Sequence, residues 1–370
     1  MTKTQFSAAL HRCMCSRLGA KRSLGCSATI KPCPFASASR LPANDQRFAR
    51  LLHTRPPANS HGMPHATTPP PIEPLPGRST LSGATSRASS SVPTLAPHLY
   101  VAANTFQKRD NLLVLDLLNM AFRRAPSEDQ QFLDVGCAGG DFTRDVLLPR
   151  SSPCRRIVAT DVSRSMIAYA KRFHSHPLIT YDVLDLSRDV SPLVERYGRF
   201  DRVYSFFCLH WIRDQVGALR NVRNLMAPEG ECLLQFCART PVYTLWRDFA
   251  LMNRWKGRIP NIEDFIPPSQ DADDRLSYLE NILAASALKP HTCEVLRNMW
   301  TFPSEKHLEG AISAVLPVSD GVPEHERREL TKAMSAEMLR RCRKSPAGFS
   351  AEFDAYVVHA SRSSACRPTE

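Results

Sequence analysis

Residues 132–142 read Phe132-Leu133-Asp134-Val135-Gly136-Cys137-Ala138-Gly139-Gly140-Asp141-Phe142, an apolar run that passes into small residues and then into a helical pattern. The small residues let the backbone approach a ligand closely. In a doubly wound sheet such a loop sits at the carboxyl end of the first strand, where backbone amides and a helix N-terminus converge on the ligand. Taken alone, the loop fits several kinds of nucleotide site. Asp134 narrows the choice: a carboxylate at the mouth would repel a pyrophosphate, whereas it suits the ammonium end of an amino acid.

Two further acids follow the same logic. Twenty-one residues after Gly140, the run Ile157-Val158-Ala159-Thr160 ends in Asp161, a spacing that offers a carboxylate to both hydroxyls of a ribose. A third run ends near Val183-Leu184-Asp185-Leu186, where Asp185 can accept from an adenine amino group while Leu186 packs on the ring. One adenosine, one amino-acid end and no phosphate describe S-adenosylmethionine. Each acid alone also reads as something plainer: Asp134 as a helix cap, Asp161 as an N-cap of the helix that follows, Asp185 as a turn residue. Their recurrence at successive strand ends favours the common ligand. The candidate cofactor set is Asp134, Gly136, Cys137, Ala138, Gly140, Asp161, Val162, Met166, Asp185, Leu186 and Ser205.

Around this loop, apolar runs at 132–135, 157–160, 179–183, 203–207 and 232–236 read as five strands. Helical patterns at 144–148, 165–173, 193–197 and 216–226 lie between them, and an earlier helix is expected over 106–122. Strands alternating with helices imply βαβ units and a parallel sheet. After Thr240 the pattern is mostly helical, with two later strand candidates at 291–299 and 353–360. The expected architecture is α/β, a Rossmann-like mixed sheet of seven strands with the last antiparallel and helical insertions in the C-terminal third.

Charge separates the chain into parts. Of its net charge of +12, residues 1–97 carry +10, with twelve Lys or Arg against Asp45 and Glu73. The remaining 273 residues are close to neutral at +2, which argues against a polyanion footprint on the folded part and so against a nucleic-acid partner. Residues 1–97 hold thirteen of the 29 prolines and no acid before position 45. They are expected to form a disordered leader, with a mitochondrial transit peptide as one reading and a cytoplasmic protein with a nonspecific tail as the other. Residues 98–362 form the expected domain and 363–370 a short tail. The twelve cysteines include no CxxC pair and sit largely in apolar contexts, so neither a zinc site nor a disulfide framework is expected. His174-Ser175-His176 has the look of a metal pair but no third ligand nearby and is taken as surface. No apolar run approaches the ~18 residues of a bilayer span.

A longer stretch carries a resemblance. The DxGxAGG loop and the acids at 161 and 185 are similar to class I methyltransferases in general. Ser205-Phe206-Phe207-Cys208-Leu209-His210-Trp211-Ile212-Arg213-Asp214-Gln215, Arg220-Asn221, Asn224-Leu225-Met226 and the run 229–234, with Phe106-Gln107-Lys108-Arg109-Asp110 upstream, resemble the arthropod juvenile hormone acid methyltransferases. The likeness covers about residues 100–240 well and the C-terminal third loosely. Ala138 departs from it, standing where that family usually has glycine; alanine tolerates most backbone conformations except positive φ, which bears on cofactor affinity.

The resemblance implies that Gln107 and Trp211 hold a substrate carboxylate, and the chemistry agrees. A carboxylate has a reference pKa near ~4 and is ionised at neutral pH, so its methylation needs orientation and desolvation but no general base. An amide and an indole N–H aim an oxygen without quenching its nucleophilicity. Trp211 also reads as a core aromatic and Gln107 as a solvent-facing helix residue. His210 either fills the wall or serves as base for a hydroxyl nucleophile. Tyr243, Trp246, Phe249, Trp255, Phe265, Met299, Trp300 and Phe302 suit a pocket for a long apolar acid, of farnesoic or juvenile-hormone-acid type, or an ordinary core. The rival activities are a small-molecule hydroxyl methyltransferase, a dinucleotide dehydrogenase and a silent cofactor-binding protein.

Overall fold

The structure, a computed structural model, describes residues 97–319 and 321–362. The expected basic leader, on which the transit-peptide reading falls, and the expected tail at 363–370 lie outside the described residues. The expected helix over 106–122 is preceded by a further one and ends earlier: α1 spans Pro97–Ala103 and α2 Thr105–Leu118, followed by a 3-10 turn at Asn119–Ala121. Then come β1 (Gln131–Val135), a π-helical turn at Thr143–Leu147 leading into α3 (Leu148–Ser151), β2 (Arg156–Asp161), α4 (Arg164–Phe173) and β3 (Ile179–Val183). The first half closes with α5 (Ser191–Tyr197), β4 (Phe200–Phe206), α6 (Gln215–Leu225) and β5 (Met226–Arg239). Beyond it lie α7 (Pro241–Ala250), α8 (Arg275–Ala285), β6 (Leu288–Phe302), α9 (Glu305–Ala314), α10 (Glu324–Arg341), β7 (Arg343–Ser345) and β8 (Gly348–Arg362).

The strands follow one path, β3-β2-β1-β4-β5-β8-β6, with the three-residue β7 paired to β8 off the path. Strands β1 to β5 run parallel, and β8 inserts antiparallel between β5 and β6. This is the class I methyltransferase arrangement, with its seven-stranded mixed sheet. The order reverses direction beside β1, so the carboxyl ends of β1 and β4 flank the crevice where such sheets bind ligands.

Period-two alternation decides what each strand residue faces. Leu133, Val135, Val158, Val203 and Leu234 point to the side covered by α5, α6 and α8. Phe132, Ile157, Ala159, Tyr204 and Leu233 point to the side covered by α2, α3 and α4. Asp134, in register with Phe132, therefore projects toward the α2 side. A second core, built from the C-terminal ends of the sheet and from α7, α9 and α10, gathers Tyr243, Trp246, Phe249, Trp300 and Phe302 around Leu308 and Met334. No described helix is long and apolar enough to cross a membrane.

Candidate active site

The glycine-rich loop, which leaves β1, is held by the neighbouring strand β2. Gly136 and Cys137 both donate their backbone N–H to the Thr160 carbonyl, at 2.7 and 2.9 Å, and Gly140 N–H closes back on the Cys137 carbonyl. Gly136 needs its lack of a side chain twice over. Its φ is +81°, and a Cβ there would stand 2.5 Å from Cys208 Cβ. Ala138 also adopts a left-handed conformation, φ +47°, the one region alanine tolerates poorly, so the departure noted in the sequence carries real backbone strain. Its N–H donates to Asp161 Oδ2 at 3.0 Å while Ser163 N–H donates to Oδ1 at 2.9 Å. Burial raises the Asp161 carboxyl, and those two amides act against the rise.

Asp134 is buried, with Thr143 Oγ1 donating to its Oδ2 at 2.6 Å. Burial lifts its pKa from 3.8 to about 7, opposed by the Thr143 bond and reinforced by the charge of Asp161. Its carboxylate borders a cavity of about 400 Å3 lined also by Gly136, Cys137, Ala138 and Phe142, and across the gap by Asn104, Gln107 and Asn111. Asn104 Oδ1, Gln107 Oε1 and Asn111 Oδ1 are buried with no hydrogen-bond partner among the described residues. Three unpaired acceptors around a buried carboxylate are costly until a ligand supplies donors and positive charge. That set of acceptors fits S-adenosylmethionine, whose ammonium donates hydrogen bonds and whose sulfonium adds a second positive charge.

The remaining candidates stand apart from this cavity's lining. Asp185 is tied into its own turn, accepting from the Ser187 N–H and hydroxyl and pairing with Arg188. Leu186 packs into the sheet core. Ser205 donates to the Val135 carbonyl at 3.0 Å and so braces β4 against β1 beneath the loop. Met166 is buried with its N–H on the Ser163 hydroxyl that caps α4, and Val162 is exposed at the rim. Gly140, at φ +80°, packs on Tyr181 and Ala170. Sequence reasoning missed Asn104 and Asn111, although Asn104, Gln107, Lys108 and Asn111 recur at helical spacing as one polar stripe on a leucine-rich helix. His174, taken as surface from the sequence, is half-buried, with its Nδ1 2.6 Å from the Gly139 carbonyl, tying α4 to the loop; the Lys108–Asp141 ion pair at the cavity edge left no sequence signal.

A second, larger cavity of about 790 Å3 adjoins the first and shares Tyr100, Asn104, Gln107 and Phe207 with it. Phe207 turns the chain after β4 at φ +50°, a strained value for an aromatic residue. Gln107, His210 and Trp211 all line this space, and among the described residues no Asp, Glu, Lys or Arg does. Trp211 leans on His210 at 5.2 Å between ring centroids and on Trp246 at 6.1 Å. His210 is buried and accepts from the Cys237 N–H on Nδ1 at 3.4 Å. Burial lowers its pKa from 6.5 to about 3, so the ring is neutral at physiological pH.

A family model for a methyltransferase domain matches residues 133–232. The juvenile hormone acid O-methyltransferase of Drosophila melanogaster is 30% identical over 227 residues, 61% of this chain and 76% of that protein. The chain belongs to the juvenile hormone acid methyltransferase-like family. The Bombyx mori juvenile hormone acid O-methyltransferase is 33% identical over 185 residues, 50% of this chain and 66% of that one. A malonyl-[acyl-carrier protein] O-methyltransferase of Halalkalibacterium halodurans is 28% identical over 165 residues, covering 44% of this chain and 59% of its own. This juvenile hormone acid methyltransferase-like protein is therefore a methyltransferase that uses S-adenosylmethionine, and the dehydrogenase alternative is set aside.

Proposed function

We propose that the protein transfers the methyl group of S-adenosylmethionine to the carboxylate of a long apolar acid, of the farnesoic or juvenile-hormone-acid type. The observation that carries the reading is the junction of the two cavities: Gln107 lines both, and the larger one is apolar and uncharged. Bound S-adenosylmethionine supplies an electrophilic methyl on a positively charged sulfur. On the protein side, Asp134, Asn104 and Asn111 take the cationic amino-acid end, and Asp161 at the end of β2 takes the ribose. Gln107 and Trp211 donate to the acid and aim one carboxylate oxygen across the junction.

Among the described residues no lysine or arginine lines the acid's pocket, which suits a carboxylate nucleophile. A cation there would pair with the carboxylate and lower its nucleophilicity. Neutral donors leave the sulfonium as the counter-charge, and transfer cancels both charges in an apolar space where water stabilises neither. A hydroxyl nucleophile would need a base. His210 is the imidazole of the lining, and with a pKa of about 3 it is a weak one. The Drosophila and silkworm relatives, named for acid O-methylation, favour the same side.

The test is product chemistry. Purified protein, labelled S-adenosylmethionine and paired long-chain acids and alcohols should yield label only from the acids, in alkali-labile methyl esters. Alkali-stable label from the alcohols would overturn the proposal in favour of ether formation.

A further inference from the structure

S-adenosylmethionine carries three charges, and Asp134 with the unpaired acceptors around α2 answers only the two positive ones. Its carboxylate still needs a partner, because an anion that leaves water for a partly closed cleft must regain charge-assisted hydrogen bonds. Among the described residues lining the cofactor cavity, Lys108 is the sole basic side chain, set against the carboxylates of Asp134 and Asp141. Arg144, four residues beyond Gly140, is engaged elsewhere: it donates to the Phe173 carbonyl at 3.0 Å and pairs with Asp145.

Lys108 is placed for that role. Its Nζ pairs with Asp141, which opens the helical turn after the glycine-rich loop, so the ammonium reaches across from α2 to the loop. Asp141 is buried, while Lys108 stays part-exposed. An ammonium has three donors, and one carboxylate leaves capacity for a second. Asn104, Lys108 and Asn111 stand four and three positions apart, on one side of the helix, and all three line the cavity. We infer that Lys108 bridges Asp141 and the methionine carboxylate, and so makes the site selective for S-adenosylmethionine over analogues that lack the carboxylate. In the free protein Asp141 holds the ammonium at the cavity edge, and the bound carboxylate then shares it. This role concerns the cofactor alone and is independent of which acid is methylated.

Calorimetry on the full chain, with no acid present, compares S-adenosylmethionine with its decarboxylated form, which keeps the adenosine, the sulfonium and the ammonium. The wild type should favour S-adenosylmethionine by about 10- to 100-fold, the scale of a hydrogen bond to a charged group. Lys108→Met should remove most of that preference by weakening S-adenosylmethionine alone, leaving the decarboxylated form bound as tightly or more so. Because Lys108→Met also leaves Asp141 buried without its cation, the double variant Lys108→Met/Asp141→Asn is measured beside it and should show the same lost preference. Lys108→Arg should restore much of it. Binding of the decarboxylated form reports that each variant is folded. Equal weakening of both ligands would overturn the assignment and reduce Lys108 to a structural tie between α2 and the loop. A preference absent from the wild type, or surviving in both methionine variants, would overturn it as well, the latter by handing the carboxylate to the backbone amides of the loop.

Discussion

If Asp134 receives the ammonium of the cofactor, binding should be a proton-linked event. Its pKa of about 7 in the free protein means that about 3% of molecules carry the carboxylate at pH 5.5 and half do at pH 7. If only the ionised form receives the ammonium, S-adenosylmethionine affinity should rise about 15-fold over that interval and level off above it. Calorimetry in buffers of different ionisation enthalpy should count close to one proton released per cofactor at pH 5.5. Asp161, also raised by burial, adds a contribution of the same sign, and Asp134→Asn separates the two by removing only the first. Stability runs the opposite way. A pKa raised from 3.8 to about 7 means that protonation favours the folded state, so this group's contribution is complete below pH 4 and lost as pH climbs through 7. The loss is about 4 kcal/mol for the free protein. Saturating cofactor should offset it, giving a larger thermal shift at pH 7 than at pH 5.5. An affinity flat across pH 5.5–7, or a slope unchanged in Asp134→Asn, would refute the assignment of Asp134 to the cationic end.

Asp161→Ala should weaken S-adenosylmethionine binding by roughly 1.5–3 kcal/mol by calorimetry, the range for hydrogen bonds to a charged group; unchanged affinity in a folded variant counts against the ribose role. Gln107→Ala and Trp211→Phe should each slow transfer to a good acid on the order of 10- to 100-fold, whereas His210→Asn should cost less. At saturating cofactor the rate should stay flat from pH 6 to 9, because His210 at about 3 does not titrate there; a rise through one ionisation near neutrality would restore the general-base reading. Gly136→Ala, with its Cβ 2.5 Å from Cys208 Cβ at φ +81°, should destabilise the fold by about 2 kcal/mol or more, read as a lowered melting temperature. Ala138→Gly relieves a left-handed alanine worth about 1 kcal/mol but adds unfolded-chain entropy of similar size, so its melting temperature should move little.

The five parallel strands were legible because each carries a short run rich in apolar and β-branched or aromatic residues between helical patterns. Register and length were not. The expected strand at 232–236 belongs to a β5 of fourteen residues, Met226–Arg239, and the candidate at 291–299 to a β6 of fifteen, Leu288–Phe302. The outer parts of these strands alternate weakly, since β6 is half-exposed along much of its length, and pairing with β8 rather than hydrophobic pattern keeps them extended. β7 left no signal, being three exposed residues closed by a turn.

At the site, sequence alone pointed to the loop, Asp134 and Asp161 as candidates, because a carboxylate at the end of an apolar strand is a local pattern with a local reading. It also raised the doubt over Ala138, which the left-handed φ of that residue bears out as strain. The tertiary structure decided the rest. Asp185 and Leu186 share the strand-end pattern; in the structure Asp185 accepts from Ser187 and pairs with Arg188 while Leu186 packs into the core, contacts that no spacing rule foretells. Whether His210 is a base or a neutral wall depended on the burial that lowers its pKa and on the Cys237 amide 27 positions away. The larger cavity, with no charged side chain among the described residues of its lining, exists only where α2, α7, β6 and α9 meet. Chain-distant packing sets desolvation, and desolvation decides what each of these side chains can do.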